Sequence, residues 1–190
     1  MKHIIFVTGY PGAGKTTLLK NLHAQSTHLD TYLCEDSPLA DSLYKLPVHG
    51  QVGSKWCYNG AEYVTAGCFR KSDTIRQGVD IFLKTTWDAV IDYLCTKGDI
   101  IIWESFNIGP AFLKKMQHHR LSYLHLDLPR EECEKRRDAR YAEAGQRAKL
   151  SKDIGHIYDA VDRRWERAQK LATCYRSSDA LNDLASLLQS

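Results

Sequence analysis

Apolar positions along this chain keep two rhythms, short unbroken runs and longer stretches at helical spacing, and the two alternate. The first run, His3-Ile4-Ile5-Phe6-Val7-Thr8, reads as a buried strand. Thr31–Cys34, Ile100–Trp103, Ser122–Leu126 and Ala172–Tyr175 are further strand-like runs, each short and bounded by polar or turn residues. Helices fit between them. Thr16–Gln25 follows the first run, and Thr74–Leu94 repeats Ile75, Val79, Phe82, Leu83, Ala89, Val90, Tyr93 and Leu94 at near-helical spacing before Gly98 stops it. A third helix opens at Pro129, with Glu131 and Glu132 complementing the dipole at its start, and runs to about Ala144 with Gly145 as its cap. Asp153–Leu171 and Asp179–Leu188 complete the set, the last behind a Ser or Asp cap. Strands alternating with helices predict an α/β fold with about five parallel strands and helices on both faces.

Ser37–Ser72 does not follow this rhythm. It holds Pro38, Pro47, Gly50, Gly53, Gly60 and Gly67 together with Trp56, Tyr58 and Tyr63, and reads as an irregular or hairpin-rich insert. Long inserts in small domains usually serve function, and this one is expected over the carboxyl ends of the strands, where open α/β sheets bind ligands. Its aromatics either stack a base or anchor the insert to the core.

With 190 residues, 43% of them hydrophobic, and a formal net charge of +3, the chain is expected to form one domain that buries about 70% of its unfolded surface. The apolar run before Gly9 is too short for a signal h-region, and nothing approaches the ~20 residues that span a bilayer, so a cytoplasmic protein is expected. The cysteines Cys34, Cys57, Cys68, Cys95, Cys133 and Cys174 form no C-x-x-C and have no partnering histidine spacing, which points to neither a zinc site nor a disulfide framework. The net charge allows a nucleic-acid partner without requiring one.

Chemistry enters at Gly9-Tyr10-Pro11-Gly12-Ala13-Gly14-Lys15-Thr16, which fits the phosphate-binding pattern G-x-x-x-x-G-K-[ST], with Thr17 following. A strand turning through glycines into a helix aims backbone N–H groups and the positive end of the dipole at an anion. Lys15 is suited to the β and γ phosphates, and the Thr16 hydroxyl to a Mg²⁺ ion bridging them. Glu104, delivered at the tip of Ile100-Ile101-Ile102-Trp103, is expected beside that loop, holding Mg²⁺ or orienting the attacking group; the plain alternative is a solvent-facing strand end. Asp99, at the other end of that run, reads as structural. Arg136 and Arg140 stand four apart in Glu134-Lys135-Arg136-Arg137-Asp138-Ala139-Arg140 and share a helix face able to grip one anion, whereas Lys135 and Arg137 read as solvated charges. Gly145–Ser151, with Arg147 and Lys149, would close as a short lid that excludes water.

The chain resembles the lid-containing P-loop kinases of nucleotides, nucleosides and polynucleotide ends. The likeness rests on G-Y-P-G-A-G-K-T-T, on the carboxylate after an apolar strand, and on L-D-L-P-R-E-E-C-E-K-R-R-D-A-R, and it spans most of the chain. The resemblance implies Arg136 against the donor adenine, Arg140 at the phosphates, and a lid over about 136–151. ATP is the implied donor, since the guanine motif N-K-x-D is absent.

More narrowly, Ala66-Gly67-Cys68-Phe69-Arg70-Lys71-Ser72-Asp73-Thr74-Ile75 looks like the acceptor region of the viral 5-hydroxymethyluracil DNA kinases, with Arg70-Lys71-Ser72 in place of that family's glycine-rich lead. This likeness implies a base hydroxymethyl in DNA as acceptor. An alcohol acceptor needs a base within hydrogen-bond reach. Asp36, beside Glu35 after the second strand, is the base by topology; Asp73 is the acceptor contact, or itself the base by the narrower likeness. Each also reads as a helix N-cap. Other expectations kept open are a 5′-hydroxyl polynucleotide kinase, a free nucleoside or nucleotide kinase, and a nucleotide-dependent switch or binding protein.

Overall fold

The structure, a computed structural model, describes residues 1–33, 51–67, 82, 84–143 and 155–190. In chain order its elements are β1 (His3–Thr8), α1 (Lys15–Ala24), β2 (Thr27–Leu33), β3 (Gln51–Tyr58), β4 (Ala61–Ala66), α2 (Trp87–Cys95), β5 (Ile100–Glu104), α3 (Pro110–Lys115), β6 (Arg120–Leu126), α4 (Arg130–Glu143), α5 (Gly155–Ala168), β7 (Thr173–Ser177) and α6 (Ala180–Gln189), with a 3₁₀ turn at Lys84–Thr86. The strands form one seven-stranded sheet in the order β2-β3-β4-β5-β1-β6-β7.

β1 is the centre because both of its faces are apolar. Ile4 and Phe6 point to one side with Ile101, Trp103, Leu121 and Tyr123, under α2 and α3. Ile5 and Val7 point to the other with Ile102 and Leu124, under α1 and α6. Two-sided burial is what a continuous apolar run requires, and it is available only to a central strand of a sheet covered on both faces.

The five parallel strands are present, but one is not the strand expected. β4, β5, β1, β6 and β7 run parallel, while β3 is antiparallel to both β4 and β2. The second strand of the sequence is therefore an edge, and β4 takes the place beside β5. The cause is the two-residue turn Asn59-Gly60, with φ of 48° and 85°. Positive φ at both positions is the geometry of the tight hairpin turn that matches strand twist, and Asn-Gly is its strongest local signal. The middle of the insert thus lies in the plane of the sheet, a correction to its expected place over the strand ends; residues 37–50 and 68–72 lie outside the described residues.

The insert's aromatics take the anchoring alternative. Tyr63 is fully buried and hydrogen-bonded to Ser26 at 2.9 Å, and Trp56 stacks on His23 with ring centroids 4.1 Å apart. Two further elements differ from expectation. α3 was not foreseen, being shorter than two helical turns, and of the long helix expected at Thr74–Leu94 the described part is the 3₁₀ turn and α2. No helix among the described residues is long and apolar enough to cross a membrane.

Candidate nucleotide site

β1 ends in the loop 9–14, and Gly14 caps α1. This puts the start of α1 at the carboxyl edge of the parallel strands. The loop is held from below by α4. A Cβ built at Gly12, where φ is +93°, would lie 2.2 Å from the Cys133 carbonyl oxygen, so only glycine permits this approach.

It is held from the side by α5. Tyr158, fully buried, donates to the Pro11 carbonyl at 3.2 Å, and Tyr10 donates to Asp162 at 2.5 Å. Arg130 ties the starts of α4 and α5 together, bonding Glu134 at 2.9 Å, Asp159 at 2.7 Å and the Gly155 carbonyl at 3.3 Å, with its guanidinium over the Tyr158 ring.

Lys15 is buried, and its Nζ donates to the carbonyls of Gly9 at 3.2 Å and Tyr10 at 2.9 Å, within 5.9 Å of the Phe106 ring centre. The ammonium is thus folded over its own loop. Glu104 is buried, not solvent-facing, and pairs in register with Val7. The Thr16 hydroxyl donates to its Oε2 at 3.3 Å. An all-oxygen pair of hydroxyl and carboxylate at a phosphate loop suits a hard divalent cation such as Mg²⁺.

The two expected arginines, Arg136 and Arg140, both stand at the surface of α4. Arg136 is more than half exposed and bonded to Glu132 at 2.8 Å, and Arg140 is exposed beside the Tyr141 ring. Burial raises the pKa of the Cys133 thiol, and the Lys15 and Arg136 charges oppose that shift. Arg137, by contrast, is buried, paired with Asp138 at 3.0 Å and set over Tyr141 at 4.8 Å. The expectation of a solvated Arg137 is therefore corrected. Cys133, Arg137 and Tyr141 recur every fourth residue, and this i, i+4, i+8 stripe in the sequence was the available signal.

A second arginine, Arg164 on α5, also departs from the surface. It is half-buried and donates to the Phe106 carbonyl at 3.3 Å, on the segment that follows Glu104, and burial lowers its pKa. Its signal was weak, because α5 interleaves acids and bases evenly. Below the loop, His125 is buried, 3.4 Å from the Thr8 hydroxyl, and burial pulls its pKa down to about 4.

The acceptor side is less fully drawn. Glu35, Asp36, Asp73 and the lid segment 144–151 lie outside the described residues. β2, which leads toward Asp36, is four strands from β1, about 19 Å at ordinary spacing. β4, which leads through Gly67 toward Asp73, adjoins β5.

The model of one known family, the AAA domain, matches residues 5–156, from β1 into the start of α5. The chain belongs to the AAA domain family. A search of the curated proteins found no match. The family match, the glycine loop and the parallel sheet agree on a P-loop nucleotide-binding domain.

Proposed function

We propose that this chain is a kinase that transfers the γ-phosphoryl group of ATP to a hydroxyl of a nucleotide or nucleic acid, with the hydroxymethyl of 5-hydroxymethyluracil in DNA as the first acceptor to try. The observation that carries the reading is the convergence of Lys15, Thr16 and Glu104 at the carboxyl edge of the sheet, with α4 packed against the same loop through Gly12 and Cys133. A nucleotide-dependent switch needs the loop but has no use for an arginine-bearing helix and an acceptor insert.

In this reading the loop N–H groups and Lys15 bind the β and γ phosphates and hold them in line. Thr16 and Glu104 would hold Mg²⁺, which would supply neutralisation of the phosphate charge. Arg140 faces the transferring group and Arg136 the donor base. The acceptor oxygen bonds to the γ-phosphorus as the bond from that phosphorus to the β-bridging oxygen breaks; ADP leaves, and the hydroxyl proton passes to a carboxylate. Asp36 is assigned that base and Asp73 the acceptor contact, the second supported by the place of β4 beside β5.

The experiment uses γ-labelled ATP, Mg²⁺ and two duplexes with 5′-phosphorylated ends, one containing thymine and the other 5-hydroxymethyluracil, each digested to nucleosides afterwards. Label on the modified base supports the proposed acceptor. If free hydroxymethyl-deoxyuridine or its monophosphate is labelled as well as the polymer, the DNA assignment fails and a nucleoside or nucleotide kinase replaces it. Label only on the ends of a third duplex that carries 5′-hydroxyls makes it an end kinase, and ATP turnover with no labelled acceptor favours the switch.

A further inference from the structure

At the opposite edge of the sheet from the phosphate loop, Asp92 on α2 meets His118 and His119 in the turn between α3 and β6. One ligand atom from each of the three lies within 4.8 Å of the others. β1 separates this place from the loop by its whole length, about 17 Å at 3.3 Å per residue.

The state of each side chain points to a cation. Both ring nitrogens of His119 are buried and lack a hydrogen-bond partner. An unsatisfied buried polar atom costs about 1–3 kcal/mol, so a half-buried imidazole with both nitrogens orphaned is an unusual arrangement without a ligand. His118 Nδ1 lies 3.0 Å from the Lys115 carbonyl. A carbonyl only accepts, so Nδ1 carries the proton and the lone pair is on Nε2, the arrangement by which a second-shell carbonyl orients a metal-binding histidine. Asp92 makes no ion pair or hydrogen bond among the described residues.

The basic groups nearby are engaged elsewhere. Lys115 pairs with Asp88 at 2.8 Å and Lys2 with Asp99 at 2.6 Å.

We propose that Asp92, His118 and His119 form a site for Zn²⁺ that pins α2 to the turn before β6. Two imidazoles and a carboxylate match zinc, with a fourth position left for water, whereas Mg²⁺ and Ca²⁺ prefer oxygen ligands throughout. Bonds of about 2.0–2.2 Å need the ligand atoms somewhat closer than they stand. Asp92 and His118 are exposed, and Asp92 has room to turn inward.

The test is titration of the full chain, first stripped with a chelator, with ZnCl₂ against a chromophoric zinc indicator in millimolar Mg²⁺, on the wild type and on Asp92→Asn, His118→Gln and His119→Gln. One equivalent of tight Zn²⁺, weakened about tenfold or more in each variant and accompanied by a rise in thermal midpoint only in the wild type, is the expected result. Asp92→Asn and His118→Gln change exposed side chains, so they keep the test valid if His119→Gln does not fold. Equal affinity in wild type and variants would mean adventitious binding to other histidines or cysteines, and that outcome, like the absence of tight binding, overturns the site.

Discussion

The Tyr10 hydroxyl donates to Asp162 at 2.5 Å across 152 residues of sequence, joining the second residue of the phosphate loop to the helix that follows the lid segment. The loop therefore does not hold its shape alone. Tyr10→Phe should cost about 1 kcal/mol of stability, the ordinary worth of one hydrogen bond, and raise the Kd for ATP a few-fold. Urea denaturation and nucleotide titration read the two effects, and an unchanged Kd would show that α5 does not support the loop.

Gly12→Ala should be more damaging. Its Cβ would meet the Cys133 carbonyl at 2.2 Å in a backbone of φ +93°. Overpacking and the left-handed backbone together should cost about 2–4 kcal/mol and weaken ATP binding with it. Gly60→Ala is the control, with φ of +85° and open space around its Cβ, so only about 1–2 kcal/mol of backbone strain remains. Equal losses in the two variants would exclude the contact with α4 as the cause.

Lys15→Ala removes the phosphate contact and should lower phosphoryl transfer by about 10²–10³-fold. Glu104→Gln keeps the shape of the side chain but not its charge, and should raise the Mg²⁺ concentration needed for half-maximal activity about tenfold. Initial rates over a Mg²⁺ series check both, and a Glu104→Gln enzyme with an unshifted Mg²⁺ curve would remove that residue from the metal.

Arg137 and Arg140 should fail in different ways. Arg140→Ala should lower kcat by orders of magnitude with little change in ATP affinity, since the exposed guanidinium is proposed to act on the transferring group. Arg137→Ala removes a buried side chain from Asp138 and Tyr141, and should cost about 1–3 kcal/mol of stability. Parallel denaturation curves and single-turnover rates separate them; a stable Arg137→Ala protein with lost kcat would move the catalytic role to Arg137.

Acid should unfold the protein earlier than its carboxylates alone would require. Burial lowers His3, His23 and His125 from 6.5 to about 4. Their folded-state pKa values lie below the unfolded value, so the stability of the neutral rings is complete above pH 6.5 and is lost as pH falls toward 4. The slope is at most about 1.4 kcal/mol per pH unit for each group. At the alkaline end, burial and then Asp162 push Tyr10 up to about 12, and its contribution, whole below pH 10, is lost between 10 and 12. Denaturation midpoints across pH 4–7 check the acid limb, and a flat profile there would refute neutral buried histidines.

Much of this architecture is local, and local chemistry is legible in a sequence. The apolar run of β1, the glycines after it, Lys15, Thr16 and the carboxylate at the tip of β5 stand in short segments whose meaning comes from spacing, and the structure places Lys15, Thr16 and Glu104 together. Sheet order is different in kind, because every apolar strand satisfies the same local pattern wherever it pairs. Asn59-Gly60 made a hairpin legible, yet nothing local said that β4, rather than β2, would lie against β5. Helix faces fall between these cases: the Cys133, Arg137, Tyr141 stripe was present in the sequence, but which face is buried depends on what packs there. The meeting of Asp92 with His118 and His119, the Tyr10–Asp162 bond and the closeness of Gly12 to Cys133 were decided by tertiary structure alone. Each joins segments far apart in the chain, and only the packing of helices on a sheet brings such segments within bonding distance.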